Sequence, residues 1–222
     1  MAGALLALAA DARSQVSGSV SVLSDYRFRG ISLSDGKPQP QLSLGYDSPA
    51  GWYVGAFGAG TELRERRDVQ VIAYAGYAQR LPFGLTWEVG VTNSVFLKTA
   101  AYNYAEVYAG LGFEDLSGRI YVSPNYFGQA MPSVYAELNA SHLIAERTHL
   151  LAHLGYLRSF SGADGPGIVP LSRVDALLGV GSSWADWRVQ LAWVGVLKTR
   201  SRYYLYGAHN PSALTLSASY SF

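Results

Sequence analysis

Asp25, Arg27 and Arg29 stand two apart near the start of the chain. On an extended segment, side chains two apart share a face, so the three would project together. Further along, Glu88, Glu106, Glu137 and Asp175 are carboxylates set within alternating segments, and Arg119 and Arg188 are guanidinium groups set in the same way. Two chemistries are open to this set. If the shared face lines a wet passage, these nine side chains line a pore and select solutes. If the passage is narrow, opposite charges pair across it and stiffen or plug it. The mixture of signs favours pairing, and the two roles are compatible.

Other chemistry finds little support. His149 and His153 are four apart, which spans about 13 Å on a strand and is too long for two ligands of one metal. There is no cysteine, which excludes disulfides and thiolate metal sites. No nucleophile, base and orienting group fall in register as a hydrolase needs. Gly179 and Gly181 lie inside a strand pattern, not between a strand and a helix, so they are no nucleotide loop. The expectation is a protein that is not an enzyme and has no metal or cofactor.

The elements that must position these charges are strands. Residues 213–222 read ALTLSASYSF, with Leu214, Leu216, Ala218, Tyr220 and Phe222 on one face and Thr215, Ser217, Ser219 and Ser221 on the other. Residues 85–96 set Trp87, Val89 and Val91 against Thr86, Glu88 and Thr92, and residues 187–198 set Val189, Leu191 and Trp193 against Arg188, Gln190 and Ala192. The apolar period is two, which rules out amphipathic helices. Twelve such segments are readable, at about 16–30, 38–47, 52–63, 68–79, 85–96, 102–113, 119–127, 133–144, 148–159, 172–184, 187–198 and 213–222. In the first, Val20, Val22, Tyr26 and Phe28 would face one way and Ser19, Ser21, Asp25, Arg27 and Arg29 the other.

Charged residues make up 15% of the 222, against roughly 25% in an ordinary soluble domain. No apolar run reaches the roughly 18 residues of a spanning helix. A membrane chain without such helices must close its sheet, because lipid leaves no partner for an open edge. The fold expected is all-β: a transmembrane antiparallel up-and-down β-barrel of about 12 strands. An even strand number puts both ends of the barrel chain on one side. Connections after even-numbered strands read as tight turns, and several of the others as longer loops. Trp52, Trp87, Trp184 and Trp187 lie near the tight turns, where an interfacial aromatic girdle belongs. The second face of nearly every strand is rich in Ser, Thr, Gln, Glu or Arg, which suits a wet lumen rather than a sandwich core.

Residues 1–12, MAGALLALAADA, read as the remnant of a signal peptide with a small-x-small site at Ala10-Asp11-Ala12, leaving 13–222 as the barrel. The net charge of +1 provides no field for nucleic acid. The outer loops are locally basic, with Lys37, Arg64, Arg66, Arg67, Lys98, Arg200 and Arg202. They would draw anions to the mouth or contact anionic lipopolysaccharide among the outer-membrane lipids.

Residues 24–32, SDYRFRGIS, resemble the opening motif of the TorF family of porins, outer-membrane proteins of Gram-negative bacteria. The matches are Ser24, Asp25, Tyr26, Phe28, Arg29, Gly30 and Ser32. Residues 41–53, the Tyr104-Ala105-Glu106-Val107-Tyr108 stretch with Gly110, and residues 123–128 are similar to later family segments. Gln70 and Ile72 stand where family members carry acidic residues. The resemblance implies a barrel in the outer membrane of a Gram-negative bacterium, and Phe222 looks like the signal read by the barrel-assembly machinery. The function expected is passive diffusion of small hydrophilic solutes. The alternative is a closed structural or interaction barrel whose lumen is filled by side chains, among them Tyr74, Tyr108 and Tyr121.

Overall fold

The computed structural model describes residues 15–63, 65–128, 130–160, 172–199 and 210–222. The segment read as a signal-peptide remnant lies outside them. Fourteen strands follow in order: β1 (Gln15–Leu23), β2 (Arg27–Phe28), β3 (Ile31–Ser32), β4 (Gln39–Asp47), β5 (Trp52–Leu63), β6 (Arg66–Arg80), β7 (Thr86–Phe96), β8 (Tyr104–Phe113), β9 (Leu116–Ser123), β10 (Ser133–Ala145), β11 (Thr148–Ser159), β12 (Ser172–Trp184), β13 (Trp187–Thr199) and β14 (Ser212–Ser221). Twelve of them form a closed antiparallel barrel in sequence order, and β2 with β3 forms a separate hairpin.

The ring closes where β1 meets β14, from Ser19 opposite Ser221 to Leu23 opposite Ser217. Closure removes the sheet edges, whose unpaired backbone groups lipid could not satisfy. Alternation then sorts the side chains. Val16, Leu138, Leu178, Leu214 and Ile120 are exposed on the outside although they are large and apolar. A soluble protein would not leave so continuous an apolar band facing water; facing lipid, it is the expected surface. The buried apolar residues instead lie within the ring, among them Phe57, Phe96, Tyr104 and Leu157.

Loop lengths polarise the barrel. Residues 48–51, 81–85, 114–115, 146–147 and 185–186 are tight turns at one end. Residues 24–38, 97–103 and 124–132 are longer and lie at the other. Trp52, Trp87, Trp184 and Trp187 all fall at the tight-turn end. Trp52 packs on Tyr77 with ring centres 5.2 Å apart, Tyr77 on Trp87 at 5.6 Å, and Trp187 on Tyr220 at 5.2 Å.

Two expected strands are too long. The seventh ends at Ser123, and Tyr126 and Phe127 belong to a single 3-10 turn, Tyr126–Gly128, packed into the barrel. The first ends at Leu23 rather than running to residue 30. There Ser24 replaces the backbone ladder with a side-chain cap: its N–H donates to the Leu216 carbonyl at 2.9 Å, and its Oγ accepts from the Leu216 N–H at 2.9 Å. The chain then turns into the lumen as the β2–β3 hairpin. Arg29 and Gly30 form its two-residue loop with φ of 48° and 79°, the positive values that suit the twist of a tight hairpin. Tyr26 and Phe28, expected on the face opposite Asp25, Arg27 and Arg29, are therefore also inside: Tyr26 is fully buried, and Phe28 packs against the internal cluster.

Candidate functional site

The hairpin spans the lumen. In ring order β9 lies six strands from β1 in either direction, hence across the barrel. Arg29, at the hairpin tip, reaches that far wall. Its two terminal nitrogens donate to the two Glu106 carboxylate oxygens of β8 at 3.0 and 2.7 Å. Its Cζ lies 4.0 Å from the centre of the Tyr135 ring on β10 and 5.1 Å from that of Tyr121 on β9. This is a two-pronged, charge-assisted pair inside an aromatic cage. Gly30 sits against the β12–β13 wall, where a Cβ would lie 2.6 Å from Asp175 Cβ.

The base of the hairpin is held by Asp25. Its carboxylate accepts from Arg27 at 2.8 Å, from Ser34 Oγ at 3.0 Å and from Ser32 Oγ. The Leu33 N–H donates to the Tyr26 carbonyl and the Glu62 N–H to the Leu33 carbonyl, each at 2.7 Å, which ties the hairpin to the rim of β5. Tyr26 OH donates to Gln70 Oε1 at 2.8 Å, and Gln70 Nε2 to Ser94 Oγ at 2.7 Å. Tyr26, Leu33, Phe57, Phe96, Tyr104 and Phe127 pack around this chain of hydrogen bonds. The core of the protein thus occupies the half of the lumen nearer the long loops.

The nine residues expected along the pore separate into pairs and singles. Asp25 with Arg27, Arg29 with Glu106, and Glu88 with Arg119 are three buried or nearly buried ion pairs. Asp25, Arg27 and Arg29 are carried by the hairpin and not by the barrel wall, which corrects their expected place on a straight first strand. Glu88 also accepts from Tyr53 OH at 2.9 Å. Glu137 accepts weakly from Tyr121 OH at 3.4 Å. Arg188 donates to Ser183 Oγ at 3.3 Å. Asp175 lies 3.0 Å from His153 Nε2 and accepts from Tyr135 OH at 3.2 Å; His153 Nδ1 lies 2.7 Å from Asn139 Oδ1. Tyr108 and Tyr121 are buried in the lumen, and Tyr74 is partly so.

Sequence reasoning did not single out Tyr135, His153 or Arg173 as lumen residues. All face inward by strand parity, which is the signal that could have found them. Of the basic outer loops, Lys37 and Arg67 both approach Glu62, and Arg64, Arg200 and Arg202 lie outside the described residues. A cavity of about 300 Å³ separates the hairpin from β14, lined by Asp25, Arg27, Ser32, Asp35, Asn210 and Leu214. Toward the tight-turn end the inner face carries Ser19, Ser43, Ser217 and Ser219, all partly exposed.

A closed ring of twelve antiparallel strands, apolar outside and hydroxyl-rich inside, is the architecture of outer-membrane β-barrel proteins. The chain belongs to the bacterial family described as "bacterial protein of unknown function (Gcw_chp)", whose model matches residues 7–218. Among solved structures it is similar to the KdgM porin, with a TM-score of 0.57 and 10% identity over 93% of this chain and 99% of that one. The KdgM porin in complex with disordered oligogalacturonate gives 0.54 and 10% over 95% and 99%. An outer-membrane channel from Pseudomonas putida F1 gives 0.51 and 11% over 93% and 94%. At these identities the likeness is one of fold. No curated protein matches.

Proposed function

We propose that the protein is a porin-like channel of the Gram-negative outer membrane, passing small hydrophilic solutes by diffusion, with its aperture set by the in-turned hairpin. The observation that carries this is the span from Ser24 to the Arg29 and Glu106 pair, which lies across the lumen of the barrel. Solutes pass beside the hairpin, and the paired charges hold it in place instead of selecting ions along an open wall. The fold shared with porins supports the reading. So does the narrower likeness to TorF porins, since the motif at residues 24–32 is the hairpin itself. In this reading the long loops face outward, Arg66, Arg67 and Lys98 meet lipopolysaccharide, and the barrel-assembly machinery recognises the last strand through Phe222. The role is not enzymatic.

A second reading is a closed barrel, and the buried cluster of Tyr26, Leu33, Phe96 and Phe127 favours it. One experiment separates the two. The refolded protein and a variant with residues 25–36 replaced by a short Gly-Ser linker are compared in planar bilayers. The channel reading expects small discrete steps from the wild type and larger ones from the variant. Silence from the wild type, with steps from the variant, would establish the closed barrel. Silence from both, with no liposome swelling in small sugars, would end the channel reading.

A further inference from the structure

Arg173 is a buried lumen charge that the hairpin does not explain. It lies on β12, faces inward and is 4% exposed. Arg27, Arg29 and Arg119 each pair with a carboxylate. Arg173 makes no ion pair or hydrogen bond among the described residues, and its Nε is buried without a partner. A guanidinium taken from water without a counter-charge is costly. Asp175, two residues along on the same face, does not offset this, because it approaches His153 and Tyr135 and forms no bridge to Arg173.

The surroundings of Arg173 are rich in donors. Arg173 pairs with Leu157, and Leu157 with Tyr135, so it is level with the ring beneath Arg29. One inward position nearer the long loops, Ser133 stands opposite both Ser123 and Ser159. All three serines are buried, and the Ser133 hydroxyl has no partner. The Tyr126 hydroxyl is likewise buried and unpartnered; its ring centre is 5.3 Å from Arg29 Cζ. Among the described residues, two unpartnered donor groups, one of them cationic, thus stand at the long-loop end of the β10–β12 wall, and a third lies on the 3-10 turn that follows β9. A group that accepts from all of them is an oxyanion, and the planar fork of arginine fits carboxylate and phosphate alike. The unpartnered Asp175 Oδ2 lies on the tight-turn side of Arg173. It would repel a second negative charge, so the anion is held toward the long loops.

We propose that Arg173, with Ser133 and Tyr126, forms an anion subsite inside the mouth that binds the carboxylate or phosphate group of a small solute. This deepens the channel reading and rests on it for the solute's route, but binding can be tested without conduction. Succinate, inorganic phosphate and glucose are titrated calorimetrically into the refolded protein in detergent. Wild type, Arg173→Gln, Arg173→Lys, Ser133→Ala and Arg158→Gln are compared, each checked for heat-modifiable gel mobility. Saturable binding of succinate or phosphate is expected, with no response to glucose. Arg173→Gln should weaken it at least tenfold, Arg173→Lys and Ser133→Ala by less, and Arg158→Gln by less than twofold. The two anions distinguish a carboxylate site from a phosphate site. Absence of saturable binding to either anion by the wild type, or equal binding by Arg173→Gln, would overturn the subsite. If Arg173→Gln does not fold, Arg173→Lys and Ser133→Ala decide: undiminished affinity in both overturns it. A barrel that binds but never conducts keeps the subsite and loses the channel, and one that conducts without binding does the reverse.

Discussion

Arg29 concentrates the cost and the purpose of the internal hairpin. A non-glycine residue at φ of 48° is strained, and a buried guanidinium is costly unless its charge is met. Glu106 meets it with two hydrogen bonds, and the Tyr121 and Tyr135 rings cover its faces. Removing one member of such a pair leaves the other charge buried alone. Glu106→Gln should therefore destabilise the barrel by about 3–5 kcal/mol, read by urea unfolding in vesicles with tryptophan fluorescence. The double variant Arg29→Met with Glu106→Leu should lose less than Glu106→Gln, because no charge is left stranded. Equal losses for the single and the double would mean that the contact acts by packing and not as an ion pair.

At the scale of the elements, the hairpin and the seam do separate jobs. The hairpin is placed by its tip, where Gly30 has φ of 79° and a Cβ would approach Asp175 Cβ to 2.6 Å and the Gly195 carbonyl to 3.1 Å. Gly30→Ala should cost more than about 1 kcal/mol and push the tip off the β12–β13 wall, with larger single-channel steps and an intact barrel. Unchanged steps would show that the tip does not set the aperture. The seam is held by Gly18 and Phe222, whose backbones exchange two hydrogen bonds of 2.9 Å while the ring lies over the glycine. Phe222→Ala removes that cover, worth up to about 1 kcal/mol for a cross-strand pair, and should lower the yield of heat-modifiable folded barrel; an unchanged yield would make the ring dispensable. The barrel strands were legible because lipid outside and polar groups inside impose a period of two. The hairpin was not, because Asp25, Arg27 and Arg29 keep that period across Ser24, where the ladder stops. Only the cap on Leu216 and the positive φ at two successive residues separate an inserted hairpin from a continued strand. The same blindness affected the pairs: parity placed Glu88 and Arg119 inside, but Arg29 and Glu106 meet only once the chain turns across the lumen.

The whole molecule is polarised along its axis. Tight turns and a tryptophan–tyrosine girdle mark one end, and the long loops and the internal core mark the other. Filling the half of the barrel nearer the long loops with core, while the other half holds serines and the Glu88–Arg119 pair, would put the barrier to passage near the long loops in the channel proposed above. It also requires the protein to sit at a defined depth, since a shift along the axis would bring charged rim residues into lipid. Depth is measurable from two tryptophans on one strand. Trp187 begins β13 in the girdle, and Trp193, on the same outward face, pairs with Leu214 farther from the turn. Six residues span about 20 Å along a strand, hence about 14 Å across a bilayer at a tilt of about 45°. Single-tryptophan variants retaining Trp187 or Trp193 can be compared in vesicles of lipids brominated near the headgroup or at mid-chain. Trp187 should be quenched more by the shallow bromines and Trp193 more by the deep ones. Equal depth profiles would place the girdle off the interface. The orientation assigned to the barrel, and with it the outer position of the hairpin, would then have to be redrawn.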